Sequence, residues 1–256
     1  METKLHWVIE DKVGSGYPSL VSEIVGVGQS LDSRVGNTFE VLGAQVRFPA
    51  GAMFQRPGMA RKLGWVELLE VLAGSFQPAL YRLAAPKLRW AYTIQQAYGI
   101  RLATQFPLVA EQLRANPASR RALLYIGQPG DGREEEKPCV SLLQFLGRRG
   151  RLDMVATIRS WDAISGFVYD TMVMGAIVQA MAEVLGLEPG TVYANAGSLH
   201  VYEADLARVP VNDAQKSFSL RLNGRLEWED VAEWARVQLV NFSLWGAYPP
   251  EGIEVK

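Results

Sequence analysis

The chain has 256 residues, 48% apolar and 21% charged, and its 26 Lys and Arg nearly balance 27 Asp and Glu for a net charge of −1. These proportions exclude a disordered or collagen-like chain, and the length suffices for a buried core without a disulfide or structural metal. So small a net charge gives no global attraction to nucleic acid or an anionic membrane; neither is expected as a partner, and any anion binding must be local.

The N-terminal run Met-Glu-Thr-Lys-Leu-His-Trp lacks the apolar core of a signal peptide. Pro18–Leu31 reads as a helix, with proline early and apolar residues at i, i+3, i+4 spacing around two glycines. Thr38–Phe48 alternates as a strand, or a hairpin broken at Gly43, and Ala60–Ala73 is apolar nearly all round and stops at Gly74, a buried helix. Phe106–Ala115 is a short amphipathic helix, followed by strand-like Ala122–Ile126, Val140–Leu146 and Leu152–Ile158.

Gly127–Lys137 reads as a solvated hairpin loop, and Gly147-Arg-Arg-Gly150 as a tight turn. Phe167–Leu185 is a long core helix stopped by Gly186, Pro189 and Gly190; its uncharged run Thr171–Ala182 falls short of the roughly 20 residues a membrane span takes. Val192–Tyr202 is a strand, Glu227–Leu239 a helix, and the tail after Pro249 loose or a lid. No repeat or Pro/Gly/Ser-rich linker divides the chain. Residues 1–256 therefore predict one α+β domain with a largely antiparallel or mixed sheet and one dominant buried helix.

Chemistry-bearing residues are few. The single cysteine, Cys139, excludes an intrachain disulfide and a multi-cysteine zinc site, and His6 and His200 alone are too few for a His-rich metal centre, so no metal is expected. One free thiol without a signal peptide predicts a cytoplasmic protein. Gly14-Ser-Gly16 and Gly26-Val-Gly28 lack the glycine spacing of a phosphate loop. Glu67 lies among Leu63, Val66, Leu68, Leu69, Val71 and Leu72, where burial should raise its pKa toward values useful for proton transfer. Asp170 opens the apolar helix, where an acid is costly unless paired or protonated.

Pro138-Cys-x5-Phe145, Gly150-Arg-Leu-Asp153, Arg159-Ser-x-Asp-x3-Gly166 and Gly197-Ser-Leu-His-Val-Tyr202 together resemble the catalytic half of the thymidylate synthase family. Asp32-Ser-Arg-Val-Gly36, Val46-Arg-Phe48, Glu67-Leu-Leu-x4-Gly74, Tyr98-Gly99 and the pair Arg120-Arg121 resemble further positions of that pattern. The resemblance implies that Cys139 is the nucleophile at C6 of a pyrimidine nucleoside monophosphate, favoured as thiolate by Arg159. Arg34, Arg159, Ser160 and the Arg120–Arg121 pair would hold the 5′-phosphate, the pair reaching across from the partner in a homodimer. His200 and Tyr202, two apart on a strand, would hold a ribose hydroxyl. Asp162, Gly166 and Trp90 would face the co-substrate 5,10-methylenetetrahydrofolate.

Departures from the family pattern bear on the substrate. Asp170 stands where the synthases carry Asn; an ionised carboxylate only accepts hydrogen bonds, which suits the N4 amino group of cytosine rather than the O4 of uracil. Val140, Ile158 and Ser198 replace the usual His, Gln and Asp. The pattern resembles the deoxycytidylate (dCMP) hydroxymethyltransferase branch, in which water instead of hydride quenches the C5 substituent. Alternatives are a CMP or dUMP hydroxymethylase, a methylase, or a nucleotide- or RNA-binding protein without catalysis.

Overall fold

A computed structural model describes residues 6–8, 16–86, 93–209, 216–222, 227–246 and 249–256. The elements in chain order begin with β1 (His6–Val8), α1 (Tyr17–Val27), β2 (Gln29–Ser33), β3 (Gly36–Pro49) and β4 (Ala52–Met53). Then come α2 (Arg61–Ala73), α3 (Pro78–Ala84), α4 (Tyr98–Leu102), α5 (Gln105–Ala115), β5 (Leu123–Tyr125), β6 (Val140–Arg148) and β7 (Arg151–Asp162). The remainder is α6 (Phe167–Leu185), β8 (Glu188–Tyr202), β9 (Lys216–Leu220), α7 (Trp228–Trp245) and β10 (Ile253–Val255). Single 3-10 turns follow β5 and β8, at Pro129–Arg133 and Glu203–Arg208.

Among the described residues the main sheet runs β1-β3-β8-β7-β6-β5, with β2 also paired to β3. The β3–β8, β7–β6 and β6–β5 contacts are antiparallel, whereas β1–β3 and β7–β8 are parallel. The sheet is thus mixed, because α6 serves as the crossover that returns the chain from β7 to a parallel neighbour. A small second sheet, β10-β9-β4, lies apart.

Local sequence explains most boundaries. Pro18 sits in the first turn of α1, where its missing N–H has no helical partner to lose. Gly28 ends that helix at Val27 rather than Leu31: its N–H bonds Ile24 O at 2.8 Å, and any Cβ there would collide with the same oxygen. Gly43, at φ +64, does not break β3, which pairs with β8 from Thr38↔Tyr202 to Pro49↔Thr191. The hairpin turn joins β2 and β3 instead, at Ser33↔Gly36. Between β6 and β7, Arg149 (φ 52) and Gly150 (φ 75) form a two-residue turn whose handedness matches strand twist. Both α2 and α6 close on left-handed glycines, Gly74 and Gly186, as the sequence predicts.

Two readings are corrected. Pro189 and Gly190 do not follow a helix stop as loop but lie within β8. The tail after Pro249 is not loose over this stretch: Ile253–Val255 pair with β9, Ile253 is buried, and Lys256 N–H bonds Ser217 O at 2.9 Å. Helix α6 is long and apolar enough by composition to cross a membrane, yet 83% of its apolar window is buried inside the protein, the pattern of a core helix. Its one buried amide, Gln179, is fully engaged: Nε2 donates to Ala50 O (3.1 Å) and Oε1 accepts from Leu220 N (2.8 Å).

Candidate active site

Four elements converge where β6 begins. Cys139 immediately precedes β6, and its carbonyl accepts from the backbone N–H of Arg159 on β7 at 2.9 Å. Asp170 lies in the first turn of α6, Glu67 in the middle of α2, and Tyr98 opens α4. Each is close enough to feel the others' charge: Asp170 raises the pKa of Glu67, of Cys139 and of Tyr98. The Tyr98 hydroxyl accepts a long hydrogen bond from Val140 N at 3.4 Å, which fixes the phenol beside the cysteine.

The electrostatics follow from burial. Desolvation, with Asp170 nearby, pushes the Glu67 carboxyl up to about 8, and its Oε2 is buried with no hydrogen-bond partner. The neighbouring Glu70, also buried, is by contrast satisfied by Ser75 Oγ and by Gln77 N at 3.0 Å. Buried polar groups are normally paired, so the unpaired Glu67 oxygen stands out beside the satisfied Glu70. Asp170 is pushed up to about 7 by desolvation and by Asp162, against the opposing hydrogen bond from Trp161 Nε1 to Oδ2 at 3.0 Å.

Cys139 corrects one expectation. Arg159 does pull its pKa down, but desolvation together with Asp170 outweighs the guanidinium and leaves the thiol at about 11. Arg159 is also committed elsewhere, with Nε donating to Pro138 O (3.0 Å) and Nη2 to Lys137 O (3.2 Å), so it fastens the backbone leading into Cys139.

The expected phosphate residues are placed unevenly. Arg34, in the β2–β3 turn, pairs with Glu135 at 2.9 Å and Glu136 at 3.8 Å on the loop before Cys139. Both sides of that pair are largely exposed, so it is weak and exchangeable. Ser160 is half-buried opposite Ser198 in the β7–β8 pair. Arg120 and Arg121 are exposed, and the Arg120 carbonyl accepts from Gln144 Nε2 at 2.9 Å. That is four residues along β6 from Val140, roughly 13 Å at strand rise, so a single chain does not bring this pair to Cys139.

His200 and Tyr202 share a face of β8, rings 5.1 Å apart in a T. The parallel register sets His200 beside Asp162, and Ser198 Oγ bridges His200 Nδ1 (3.3 Å) to Glu40 Oε1 (2.5 Å). Tyr202, Asp162, Ser165 and Arg208 border a cleft of about 790 Å³. Asp162 Oδ1 accepts from Ile164 N (2.8 Å) and Ser165 N (3.0 Å), shaping the turn that delivers Gly166 to the start of α6. Trp90 lies outside the described residues.

Sequence reasoning missed several supporting residues. Arg56 is buried and donates from Nε to Ile164 O at 2.6 Å, while Tyr17 Oη donates to Ala163 O at 2.8 Å; together they clamp the Asp162–Gly166 turn. Trp161 grips Asp170 across nine residues, and Glu40 reaches Ser198 from another strand. No local spacing signals such contacts. The Gly127–Lys137 loop is also less free than its composition suggests, since Arg101 holds Asp131 with two bonds of 2.7 and 2.8 Å.

Comparison with known proteins agrees with the arrangement. A putative thymidylate synthase of Methanopyrus kandleri is 36% identical over 137 residues, covering 50% of this chain and 64% of that protein. A deoxyuridylate hydroxymethyltransferase of Bacillus phage SP01 is 34% identical over 119 residues, 44% of this chain and 31% of the relative. A putative thymidylate synthase of Methanosarcina barkeri is 30% identical over 102 residues, 40% of this chain and 47% of the relative. The chain thus matches less than two thirds of the length of each. A thymidylate synthase family model matches residues 88–254, most of the chain and the stretch that carries Cys139, Arg159 and Asp170. On that match, with the cysteine and two raised carboxyls gathered at one point, the chain belongs to the thymidylate synthase family.

Proposed function

We propose that this chain transfers a one-carbon unit to C5 of a cytosine nucleotide, giving 5-hydroxymethyl-dCMP, as one cytoplasmic catalytic domain over residues 1–256. The observation that carries the reading is Asp170: a carboxyl, not an amide, faces the neighbourhood shared by Cys139, Glu67 and Tyr98. Cys139 would add through sulfur to C6, driving electron density onto C5, and Glu67 would manage the proton on the base side. Ionised Asp170 accepts from the N4 amino group, which uracil lacks.

Methylenetetrahydrofolate, used by this family, would supply the one-carbon unit when bound. The residues fit such a co-substrate: Glu67 Oε2 is a buried oxygen without a partner, and the cleft bordered by Asp162 and Ser165 is roomy. Arg34, Arg159 and Ser160 would take the 5′-phosphate, with His200 and Tyr202 on the sugar. A homodimer completes the site by bringing Arg120 and Arg121 from the partner. In support, Leu42 on β3 is 65% exposed, and Val155 and Tyr193 on the same sheet are half-exposed.

The second reading is dUMP hydroxymethylation. It is favoured by the SP01 relative's name and by the raised Asp170 pKa, since a protonated carboxyl can donate to O4. The test is the product mass from dCMP, dUMP and CMP, each with methylenetetrahydrofolate. A hydroxymethylated dCMP supports the proposal; product from dUMP alone replaces it with the second reading, and a methyl product removes the role of water.

A further inference from the structure

Trp161 is the last buried residue of β7, 1% exposed, and it reaches sideways to the first turn of α6. Its indole N–H donates to Asp170 Oδ2 at 3.0 Å. An indole can only donate, so Oδ2 must act there as an acceptor. Among the described residues, Oδ1 takes no hydrogen bond. Gly166 leaves room for this contact: a Cβ at that position would lie 3.3 Å from Oδ2 and 3.8 Å from Trp161 Cδ1. The indole itself cannot swing away, because its ring packs on Phe167 at 4.7 Å, and Phe167 in turn stacks on Tyr17 at 5.2 Å and tilts onto Phe54 at 5.1 Å.

We infer that Trp161 is a positioning residue for base choice: by holding Asp170 Oδ2, it presents Oδ1 as the oxygen that meets the exocyclic group of the pyrimidine. This rests on the cytosine reading of Asp170 above. The consequence is chemical as well as geometric. A carboxylate held by a donor stays ionised more readily, and any proton it gains goes to the free oxygen. Ionised Oδ1 accepts from a cytosine amino group; protonated Oδ1 donates to a uracil carbonyl. Losing the indole N–H therefore frees the carboxyl to rotate and to protonate, and relaxes the preference toward uracil.

Among the described residues, the titratable groups whose charge couples to Asp170 are Asp162 from β7, Glu67 from α2, Tyr98 from α4 and Cys139 before β6. The Trp161 N–H is the donor opposing them, so its removal shifts Asp170 titration upward.

The test compares the dCMP-to-dUMP ratio of kcat/KM across pH for the full chain, for Trp161→Phe and for Asp170→Asn. Trp161→Phe should lower the ratio about tenfold near neutral pH, the scale of one hydrogen bond to a charged group, and should move the pH at which preference is gained upward. A ratio within about twofold of the unaltered chain, with Asp170→Asn still reversing preference, overturns the role of Trp161 and leaves the cytosine reading intact. No change with Asp170→Asn either overturns both. Should Trp161→Phe fail to fold, Trp161→His keeps a ring N–H and should retain the ratio where Trp161→Leu loses it; equal ratios for those two also overturn the inference.

Discussion

Glu67 and Cys139 carry the largest departures from ordinary side-chain chemistry, and each gives a pH signature. Glu67 titrates near 8 when folded, against 4.5 ordinarily, so the native state holds a proton that the unfolded chain releases in between. The stability this contributes is complete below about pH 4.5 and is lost as pH rises through about 8. Glu67→Gln, neutral at every pH, should therefore melt higher than the unaltered chain at about pH 9 and show a smaller advantage at about pH 5. A thermal melt series checks it; a gap that does not grow with pH would contradict the burial of that acid. For Cys139, with its thiol near 11, iodoacetamide labelling of the free protein should accelerate steadily from neutral pH toward that value. A rate that levels off near neutral pH would mean that Arg159 dominates after all. Of the two, only the direction at Glu67 was readable in the sequence; at Cys139 the expected help from Arg159 pointed the other way. Glu67 sits in an evident apolar run, whereas the acid that opposes the Cys139 thiolate, Asp170, is brought near only by the fold.

Elements were legible in proportion to their length and the clarity of their stops. Helices α2 and α6 follow directly from apolar runs closed by Gly74 and Gly186, and the β6–β7 hairpin from its Arg149-Gly150 turn. The second sheet escaped notice because β4, β9 and β10 are each five residues or fewer and lack alternation long enough to register. That sheet is held to the core by buried Met53, Phe218, Leu220 and Ile253, and by Gln179 on α6, which bonds Ala50 O, Phe218 O and Leu220 N. Gln179→Leu removes the amide from all three backbone groups and should cost about 1–3 kcal/mol in urea unfolding. A loss under about 0.5 kcal/mol would show that the backbone finds other partners.

For the whole molecule, the proposed homodimer with a shared site turns on where Arg120 and Arg121 stand. The start of β6 gathers Cys139, Asp170, Glu67 and Tyr98, yet Arg120 and Arg121 stand on the surface ahead of β5, beside Gln144 farther along β6. A homodimer that shares residues predicts complementation. Cys139→Ser and the Arg120→Ala, Arg121→Ala double variant should each be inactive, and mixing them after unfolding and refolding should restore about a quarter of full activity, since half the dimers then hold one intact site. Mixtures as inactive as their components would place the arginines at their own chain's site, and a fully active double variant would place them outside the reaction. The motif pattern carries this arrangement only through the resemblance, because spacing along a chain says nothing about which subunit a side chain serves.

The central claim is that a nucleophilic sulfur works beside a carboxyl that selects cytosine. Its most direct measurement is tritium release from C5 of labelled dCMP and dUMP in the presence of methylenetetrahydrofolate. The account predicts release from dCMP, little from dUMP, and none from either with Cys139→Ser. Release from dUMP equal to or faster than that from dCMP would contradict it.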